Sequence, residues 1–209
     1  MSILVYIESN QNQIKKSSFE SLSYAKKLSN LISLDVIAVV INCSELAPLG
    51  DFGPDKIISI NEKKLETFNA HNYAGVISNV SKSVNAKNII ISDSVNCKYL
   101  ASLLSVKLNA AFVSNVVSLP NSTNPFLVKR STFSNKAFCE IEINSEIRIL
   151  GISKNSIGLN ENKSEPIIIN PDINFTESKL TSESIIVSEE KVSIEAVSYT
   201  HLTLPTRIF

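Results

Sequence analysis

Residues 88–108 read NIIISDSVNCKYLASLLSVKL, which encodes a strand followed by a helix. Ile89, Ile90 and Ile91 form a continuous apolar run, which is typical of a strand buried on both faces of a parallel sheet. Asp93 and Ser94 then offer helix-capping side chains. Leucines at positions 100, 103, 104 and 108 return to one helical face. The stretch therefore predicts one strand–helix unit of an α/β fold.

Similar units precede residue 88. Buried strands are predicted from three apolar runs, at residues 3–7, 36–41 and 56–60. Ser17 and Glu20 have capping-box spacing, S-x-x-E, and predict the start of a helix. A second helix is predicted from apolar residues at helical spacing, namely Tyr73, Val76, Ile77, Val80 and Val84. The alternation predicts right-handed crossovers and a parallel sheet covered on both faces.

The second half of the chain has a different pattern. Short apolar runs separated by polar turns predict further strands, at residues 112–117, 126–131, 137–143 and 147–152. Asn144-Ser145 predicts a hairpin turn between the last two, and two isolated apolar runs predict edge strands at 167–169 and 185–187. The expected fold is thus a three-layer open α/β sheet, Rossmann-like and adenine-nucleotide-hydrolase-like, whose parallel core is extended by antiparallel strands.

The same patterns predict how the chain is divided. We expect an α/β domain over residues 1–155 and an extension or linker over 156–197. Residues 198–209, SYTHLTLPTRIF, continue no pattern and look like the translated read-through of a sequencing adapter. They are therefore predicted to be non-native, the alternative being a genuine C-terminal tail.

Composition excludes several classes of function. Twenty basic and twenty acidic residues cancel, so no net charge draws the chain to nucleic acid or an anionic membrane. Five glycines over 209 residues form neither G-x-G-x-x-G nor G-x-x-x-x-G-K-[ST]. No apolar run approaches the length of a signal peptide or a membrane span, and three scattered cysteines suggest reduced thiols. We expect a bacterial cytoplasmic protein with no membrane insertion.

Catalytic and metal-binding patterns are not found either. His71 is the single histidine outside the suspect tail, and no H-E-x-x-H or Cys/His cluster accompanies it. No G-x-S-x-G nucleophile motif is present. The sequence therefore predicts no catalytic residues and no metal site.

Topology indicates where a ligand would bind. In an open parallel sheet, ligands lie outside the carboxyl ends of the strands, where strand order reverses. Those ends are Glu8-Ser9 and residues 93–96, and Lys98 follows one turn into the next helix, where it is placed for an anion. The alternative is that Asp93 and Ser94 only cap the helix and that Lys98 is solvated.

Six segments of the chain form an ordered series, at residues 2–8, 24–28, 88–94, 98–101, 108–116 and 129–137. This series resembles the first domain of the electron transfer flavoprotein α subunit. The family has an apolar strand, a Ser/Thr pair, Gly-Lys-Asp-Leu-Ala-Pro-Arg, a leucine-rich helix and a segment ending Ser-Asp-Val, followed by an Arg-Pro-x-Tyr-Ala-Gly-Asn-Ala hairpin. The similarity is free of gaps from about 88 to 116 and looser from 1 to about 155.

The departures from the family pattern concern charged and small residues. Cys97 stands where the family usually has Gly, Ser102-Leu103 where it has Pro-Arg, and Asn109 and Asn115 where Asp is common. Lys98 and Arg130 retain the family's lysine and hairpin arginine. By resemblance, these two are the candidate contacts with another subunit or with the edge of the cofactor cleft.

The resemblance also implies a function. Members of the family are α/β heterodimers that carry electrons on one FAD and hold AMP in the β subunit. They accept electrons from dehydrogenases, such as the acyl-CoA dehydrogenases of fatty acid β-oxidation, and deliver them to a membrane quinone oxidoreductase. Their FAD is held mainly by a second, C-terminal domain of the α subunit. The resemblance therefore implies an electron carrier rather than an enzyme. We expect the chain to stop before that second domain and to contain no cofactor-binding residues.

Two other interpretations use the same topology. One is a stand-alone nucleotide-binding or stress-response module, although the crevice lacks glycine-rich phosphate turns. The other is an ATP-pyrophosphatase, which needs Ser-Gly-Gly-x-Asp-Ser after its first strand. Residues 8–12 are Glu-Ser-Asn-Gln-Asn instead, which argues strongly against that enzyme.

Overall fold

A computed structural model describes residues 1–171, 173, 175 and 177–180. Its helices are α1 (Lys16–Ile32), α2 (Ala70–Ser83) and α3 (Val95–Leu108), with short 3-10 turns at Ala47–Asp51 and Lys63–Leu65. The strands are β1 (Ser2–Ile7), β2 (Ser9–Asn10), β3 (Gln13–Ile14), β4 (Asp35–Ile41), β5 (Lys56–Ile60), β6 (Ala86–Ser92), β7 (Ala111–Val116), β8 (Ser122–Thr123), β9 (Phe126–Thr132), β10 (Ala137–Glu142), β11 (Arg148–Ile152) and β12 (Ile167–Ile169).

The main sheet has the order β10-β9-β7-β11-β6-β1-β4-β5-β12, with β8 paired to β9. Every pairing from β12 to β7 is parallel, whereas β9 and β10 are antiparallel to their neighbours. The predicted fold class, a parallel core extended by antiparallel strands, is therefore confirmed. The edge strand predicted at 167–169 is β12, and the one predicted at 185–187 lies outside the described residues.

The hairpin predicted at Asn144-Ser145 is wrong. β11 does not pair with β10; it lies between β6 and β7 and runs parallel to both. Burial explains the difference, because four consecutive residues of β11, from Ile149 to Ile152, are buried, whereas burial along β10 alternates. A strand enclosed on both faces fits the middle of the sheet, and one with a solvated face fits its edge.

Helices cover both faces of the sheet. α1 packs on one face against a row that includes Ile3, Val5 and Ile90. α2 and α3 pack on the other face, against the alternate residues of the same strands, such as Leu4 and Ile89. The crossovers thus bury the central strands completely, as the continuous apolar runs predict.

The first helix does not begin with a capping box. The N-cap of α1 is Lys15, with no side-chain cap hydrogen bond. The Glu20 carboxylate instead accepts from the Asn155 backbone N–H at 2.8 Å. Glu20 therefore fixes a distant loop, because tertiary contacts outweigh the local motif. The cap of α3 is confirmed at Ser94, whose hydroxyl accepts from the Cys97 N–H at 3.2 Å.

Residues that follow the predicted boundary at 155 add to the same sheet. The Ser164 N–H donates to the Gly50 carbonyl at 2.8 Å, and the Asn162 N–H donates to the Asp51 carbonyl at 2.7 Å. β12 then joins β5. The segment from 156 to 169 therefore packs on the domain, while residues 181–209, which include the suspect tail, lie outside the described residues.

Candidate functional site

A polar crevice lies at the carboxyl ends of β1 and β4, beside the start of α3. The strand order explains its position, because β4 and β6 flank β1 on opposite sides. The cavity has a volume of about 290 Å³, and its lining includes Tyr6, Glu8, Asn12, Lys15, Asn42 and Asn96. The sequence prediction that the segment after β1 and the residues after β6 meet at one edge is thus correct.

Glu8 is the centre of this crevice and is only 4% exposed. Lys15 Nζ lies 2.6 Å from Glu8 Oε1 and forms an ion pair with it. The hydroxyl of Ser92 donates to Oε2 at 3.3 Å, and the Cys97 thiol donates to the same oxygen at 3.7 Å. A buried carboxylate needs such partners. Glu8, which directly follows β1, therefore joins the loop before α1 to β6 and α3 through one side chain.

The backbone around Glu8 is also fixed locally. The Ser18 hydroxyl accepts from the Glu8 N–H at 2.8 Å and donates to the Glu8 carbonyl at 3.1 Å. The Lys15 N–H donates to the same carbonyl at 3.0 Å. These contacts close the loop between β1 and α1 and place the Lys15 side chain on the Glu8 carboxylate.

Burial sets the protonation of two groups that contact this network. It raises the pKa of the Cys97 thiol to about 11, and the Glu8 charge adds to the rise. Burial also raises the pKa of Tyr6 well above its usual value, with further contributions from Cys97, Tyr73 and Glu8. Both groups are consequently neutral near pH 7, so Cys97 is a hydrogen-bond donor rather than a nucleophile.

The residues of this crevice do not fit the diphosphate of FAD. The loop between β1 and α1 contains no glycine, and the Glu8 carboxylate lies at the end of β1, where it would repel phosphate. Asn12 is in the left-handed region with φ 64°. Its side-chain oxygen already accepts from the Ser44 N–H at 2.7 Å. The Glu8 and Asn12 side chains are therefore already paired within the chain.

Lys98 is held by an aspartate. Its Nζ lies 2.8 Å from Asp93 Oδ2, and the Asp93 side chain is 8% exposed. Asp93 Oδ1 accepts from the Asn115 N–H at 3.2 Å. The expectation that Asp93 caps α3 is therefore wrong, since Ser94 does so alone, and Lys98 is ion-paired rather than simply solvated.

Arg130 lies close to the same segment of β7. It is on β9, where it is the register partner of Val116. Its Nη2 donates to the Ser114 hydroxyl at 3.3 Å, while its buried Nε has no hydrogen-bond partner in the described part of the chain. Lys98 pairs with Asp93, which accepts a hydrogen bond from the Asn115 N–H, and Arg130 donates to the neighbouring Ser114. The two candidates therefore both lie near residues 114 and 115 of β7. Their role in subunit contact stays a prediction.

Sequence reasoning missed the residues that make these contacts possible. Gly151 on β11 faces Asp93, and a Cβ there would lie 3.2 Å from Asp93 Oδ1. Lys15 and Tyr6 were also not foreseen as crevice residues. Of the residues missed, only Cys97 stood out in the sequence, because it takes the place of the family's usual Gly. In the structure its thiol donates to the Glu8 carboxylate.

Two further features concern metals and membranes. Among the described residues, no three His, Cys, Asp or Glu side chains converge as a metal site. No helix in that part of the chain combines the length and apolar character needed to cross a bilayer.

Comparison with known proteins gives a consistent result. A family model described as electron transfer flavoprotein domain matches residues 3–170. The electron transfer flavoprotein subunit alpha of Bacillus subtilis (strain 168) is 22% identical over 205 residues, which cover 92% of this chain and 62% of that protein. The subunit alpha of Syntrophomonas wolfei subsp. wolfei is 23% identical over 145 residues, covering 68% of this chain and 44% of its own length. Together with the open sheet described above, the match over residues 3–170 shows that the chain belongs to the electron transfer flavoprotein family.

Proposed function

We propose that this chain is the N-terminal domain of an electron transfer flavoprotein α subunit and acts in the bacterial cytoplasm. It would pair with a β subunit in an electron carrier that is not itself an enzyme. Electrons would pass from dehydrogenases, such as acyl-CoA dehydrogenases, to a quinone oxidoreductase at the membrane. The two relatives reported above are both α subunits, which supports the proposal.

The pairing of side chains inside the crevice is the observation that carries the proposed role. The Glu8 carboxylate binds Lys15, Ser92 and Cys97 where an open α/β sheet usually binds phosphates. A crevice whose charged side chains are already paired with each other is suited to supporting a partner rather than to holding a dinucleotide. We therefore propose that FAD is bound by other parts of the full-length protein, and that residues 1–155 form the scaffold.

Flavin content tests this division of labour. The 209-residue chain is purified alone and after co-expression with its cognate β subunit, and the visible absorbance of flavin is measured in both. We expect a colourless chain that co-purifies with the β subunit. A yellow chain with one flavin per protein would contradict the proposed division. Binding of ATP by the chain alone would instead favour a stand-alone nucleotide-binding module.

The subunit contact is tested at Arg130. We expect Arg130→Gln to weaken binding of the β subunit by roughly tenfold, because a cationic donor at the interface would be lost. Lys63→Gln removes an exposed cation elsewhere and serves as the matched control. Unchanged affinity in Arg130→Gln, with an unchanged thermal melt, would remove Arg130 from the proposed contact.

The origin of residues 198–209 can be tested by sequencing the gene. We propose that residues 198–209 are not native and that the natural reading frame continues past codon 197 into a glycine-rich flavin-binding domain. Sequencing the genomic locus across that codon checks this directly. A natural stop codon after Phe209 would contradict the proposal.

A further inference from the structure

A second cavity lies at the opposite, amino-terminal edge of the sheet, where β1, β6 and β11 begin. Its volume is about 290 Å³. Much of its wall is apolar, formed by Ile32 and Leu34 from the end of α1 and the following turn and by Phe126 from β9. The rest of the lining is Met1, Asn88, Thr123, Arg148 and the ion pair of Lys87 with Glu146. The cavity thus combines an apolar body with a small polar region.

Asn88 and Arg148 are neighbours on that polar side. They are register partners in the parallel pair β6–β11, so their side chains lie on the same face of the sheet. That face is the one covered by α1, because Ile90 and Leu150, two residues further along each strand, belong to the core under α1. A polar pair therefore begins a row that is otherwise apolar.

Neither side chain of this pair is fully satisfied by the chain. Asn88 is 2% exposed and its Oδ1 has no hydrogen-bond partner among the described residues; the same is true of the buried Nε of Arg148. Unsatisfied buried polar groups are costly and uncommon. Asn88 Oδ1 can only accept a hydrogen bond, so of the two side chains it is the guanidinium of Arg148 that could donate to a bound anion.

The charge of Arg148 is also uncompensated. None of the ion pairs in the described part of the chain includes it, and the nearby Glu146 is paired with Lys87. The guanidinium lies 4.5 Å from the centre of the Phe126 ring. This stacking fixes the guanidinium plane, and with Nε buried its terminal nitrogens are left to meet a ligand. Burial lowers the pKa of Arg148, because the buried guanidinium loses part of its hydration.

We propose that this cavity binds a small monocarboxylate with an apolar body. The carboxylate accepts hydrogen bonds from the terminal nitrogens of Arg148, and the apolar body packs against Ile32, Leu34 and Phe126. A planar guanidinium matches a carboxylate in a two-point contact. A small molecule is favoured over a protein partner because the cavity is concave and encloses only a few side-chain volumes. The proposal does not depend on the function proposed above.

Titration of the isotopically labelled 209-residue chain with hexanoate tests the proposal. At fixed ionic strength and pH 7, we expect saturable shifts of the backbone amide resonances of residues 88, 126 and 148. Hexan-1-ol lacks the charge and acetate lacks the apolar body, so each is expected to bind at least about tenfold more weakly. Equal binding of hexanol, or no saturable shift with hexanoate, would overturn the proposal.

Variants identify the cation that is responsible. We expect Arg148→Met to reduce hexanoate affinity roughly tenfold or more, with Arg148→Lys between the two. Lys107→Met makes the same charge change at an exposed position of α3, on the other face of the sheet, and should leave the affinity unchanged. The spectrum of each variant reports whether it is folded. Full affinity in a folded Arg148→Met, or a crystal grown with hexanoate that holds only ordered water there, would refute the assignment.

Discussion

The polar side chains at the two ends of the central strands differ in whether they have hydrogen-bond or ion-pair partners. At the carboxyl end, Glu8 is buried and the Asp93 side chain is largely covered, and each is paired with a lysine and with a further donor. At the amino end, Asn88 and Arg148 retain buried atoms without partners in the described part of the chain. At the end where this type of sheet usually binds ligands, the crevice remains, but its buried acidic side chains are paired within the chain, and only in that sense is this end closed. The difference shows that fold topology identifies a possible site, but that the pairing of side chains decides whether it is still open.

Among the substitutions considered, removal of the Glu8 side chain should destabilise the protein most. We expect Glu8→Ala to lower the free energy of unfolding by about 2–3 kcal/mol, because Ser92 and Cys97 lose a buried acceptor and Lys15 loses its partner. The exposed part of Lys15 limits the loss. Urea denaturation of the full chain measures it.

The control for this change is Glu45→Ala, which removes an exposed carboxylate and should change stability by less than about 0.5 kcal/mol. If both variants unfold at the same urea concentration, the Glu8 network does not hold the carboxyl end together.

A methyl group beneath Asp93 tests the second pair at the same end. In Gly151→Ala, the new Cβ would lie 3.2 Å from Asp93 Oδ1 and 3.4 Å from the Cα of Ser114. Since Lys98 and the residue 115 N–H hold Asp93, we expect a loss of about 1–2 kcal/mol. Chemical denaturation checks the size of the effect.

Gly75→Ala is the matched comparison for that substitution. Gly75 lies inside α2, and its Cβ would meet no described atom closer than 3.7 Å. Alanine there should stabilise the protein by about 0.5–1 kcal/mol, because glycine is a poor helix former. If both substitutions changed the free energy of unfolding equally, the Asp93 side chain would be able to move away from the new methyl group without cost.

Alkaline pH should loosen the closed end through Cys97. Burial raises the pKa of its thiol from 9.0 to about 11, so the folded state keeps a proton that the unfolded state releases. This contribution is complete below pH 9 and is lost as pH rises towards 11. At pH 10 the loss should be about 1.4 kcal/mol.

Comparison with Cys97→Ala isolates this contribution from that of the buried tyrosines. The stability of the natural chain should fall more steeply between pH 8 and 10 than that of the variant. Parallel pH profiles would show that the thiol ionises as readily in the folded protein as in the unfolded chain.

The open end should respond to the loss of a polar group with the opposite sign. We expect Asn88→Leu to stabilise the protein by about 0.5–1 kcal/mol, because it removes an unsatisfied buried oxygen and the adjoining cavity has room for the larger side chain. Thermal or urea unfolding measures the gain. A loss comparable to that of Glu8→Ala would mean that both ends depend equally on their polar groups.

Local sequence predicted the elements better than it predicted their neighbours. The apolar runs of β1, β4 and β6 and the Ser94 cap were identified because strand burial and helix capping are encoded within a few residues. The pairing of β11 was missed, because which strand lies beside it depends on contacts far away in sequence.

The candidate site likewise has a part that the sequence predicted and a part that it did not. The edge formed by the residues after β1 and β6 followed from topology alone. The contact of Cys97 with Glu8 joins positions 89 residues apart, and the close approach of Gly151 to Asp93 depends on where β11 is inserted. Sequence patterns of helix and strand carry no record of such contacts.

The insertion of β11 between β6 and β7 has a consequence for synthesis on the ribosome. β6 and β7 emerge before β11, yet neither can complete its hydrogen bonding on that side until residues 148–152 have left the exit tunnel. The nascent chain must therefore keep two strand edges apart while the β9–β10 hairpin forms. Because β11 is made after both of its neighbours, its contacts with β6 join residues that are far apart in sequence. Such long-range contacts favour slow completion of the sheet. Interrupting translation before residue 152 would leave the centre of the domain, rather than its margin, unfinished.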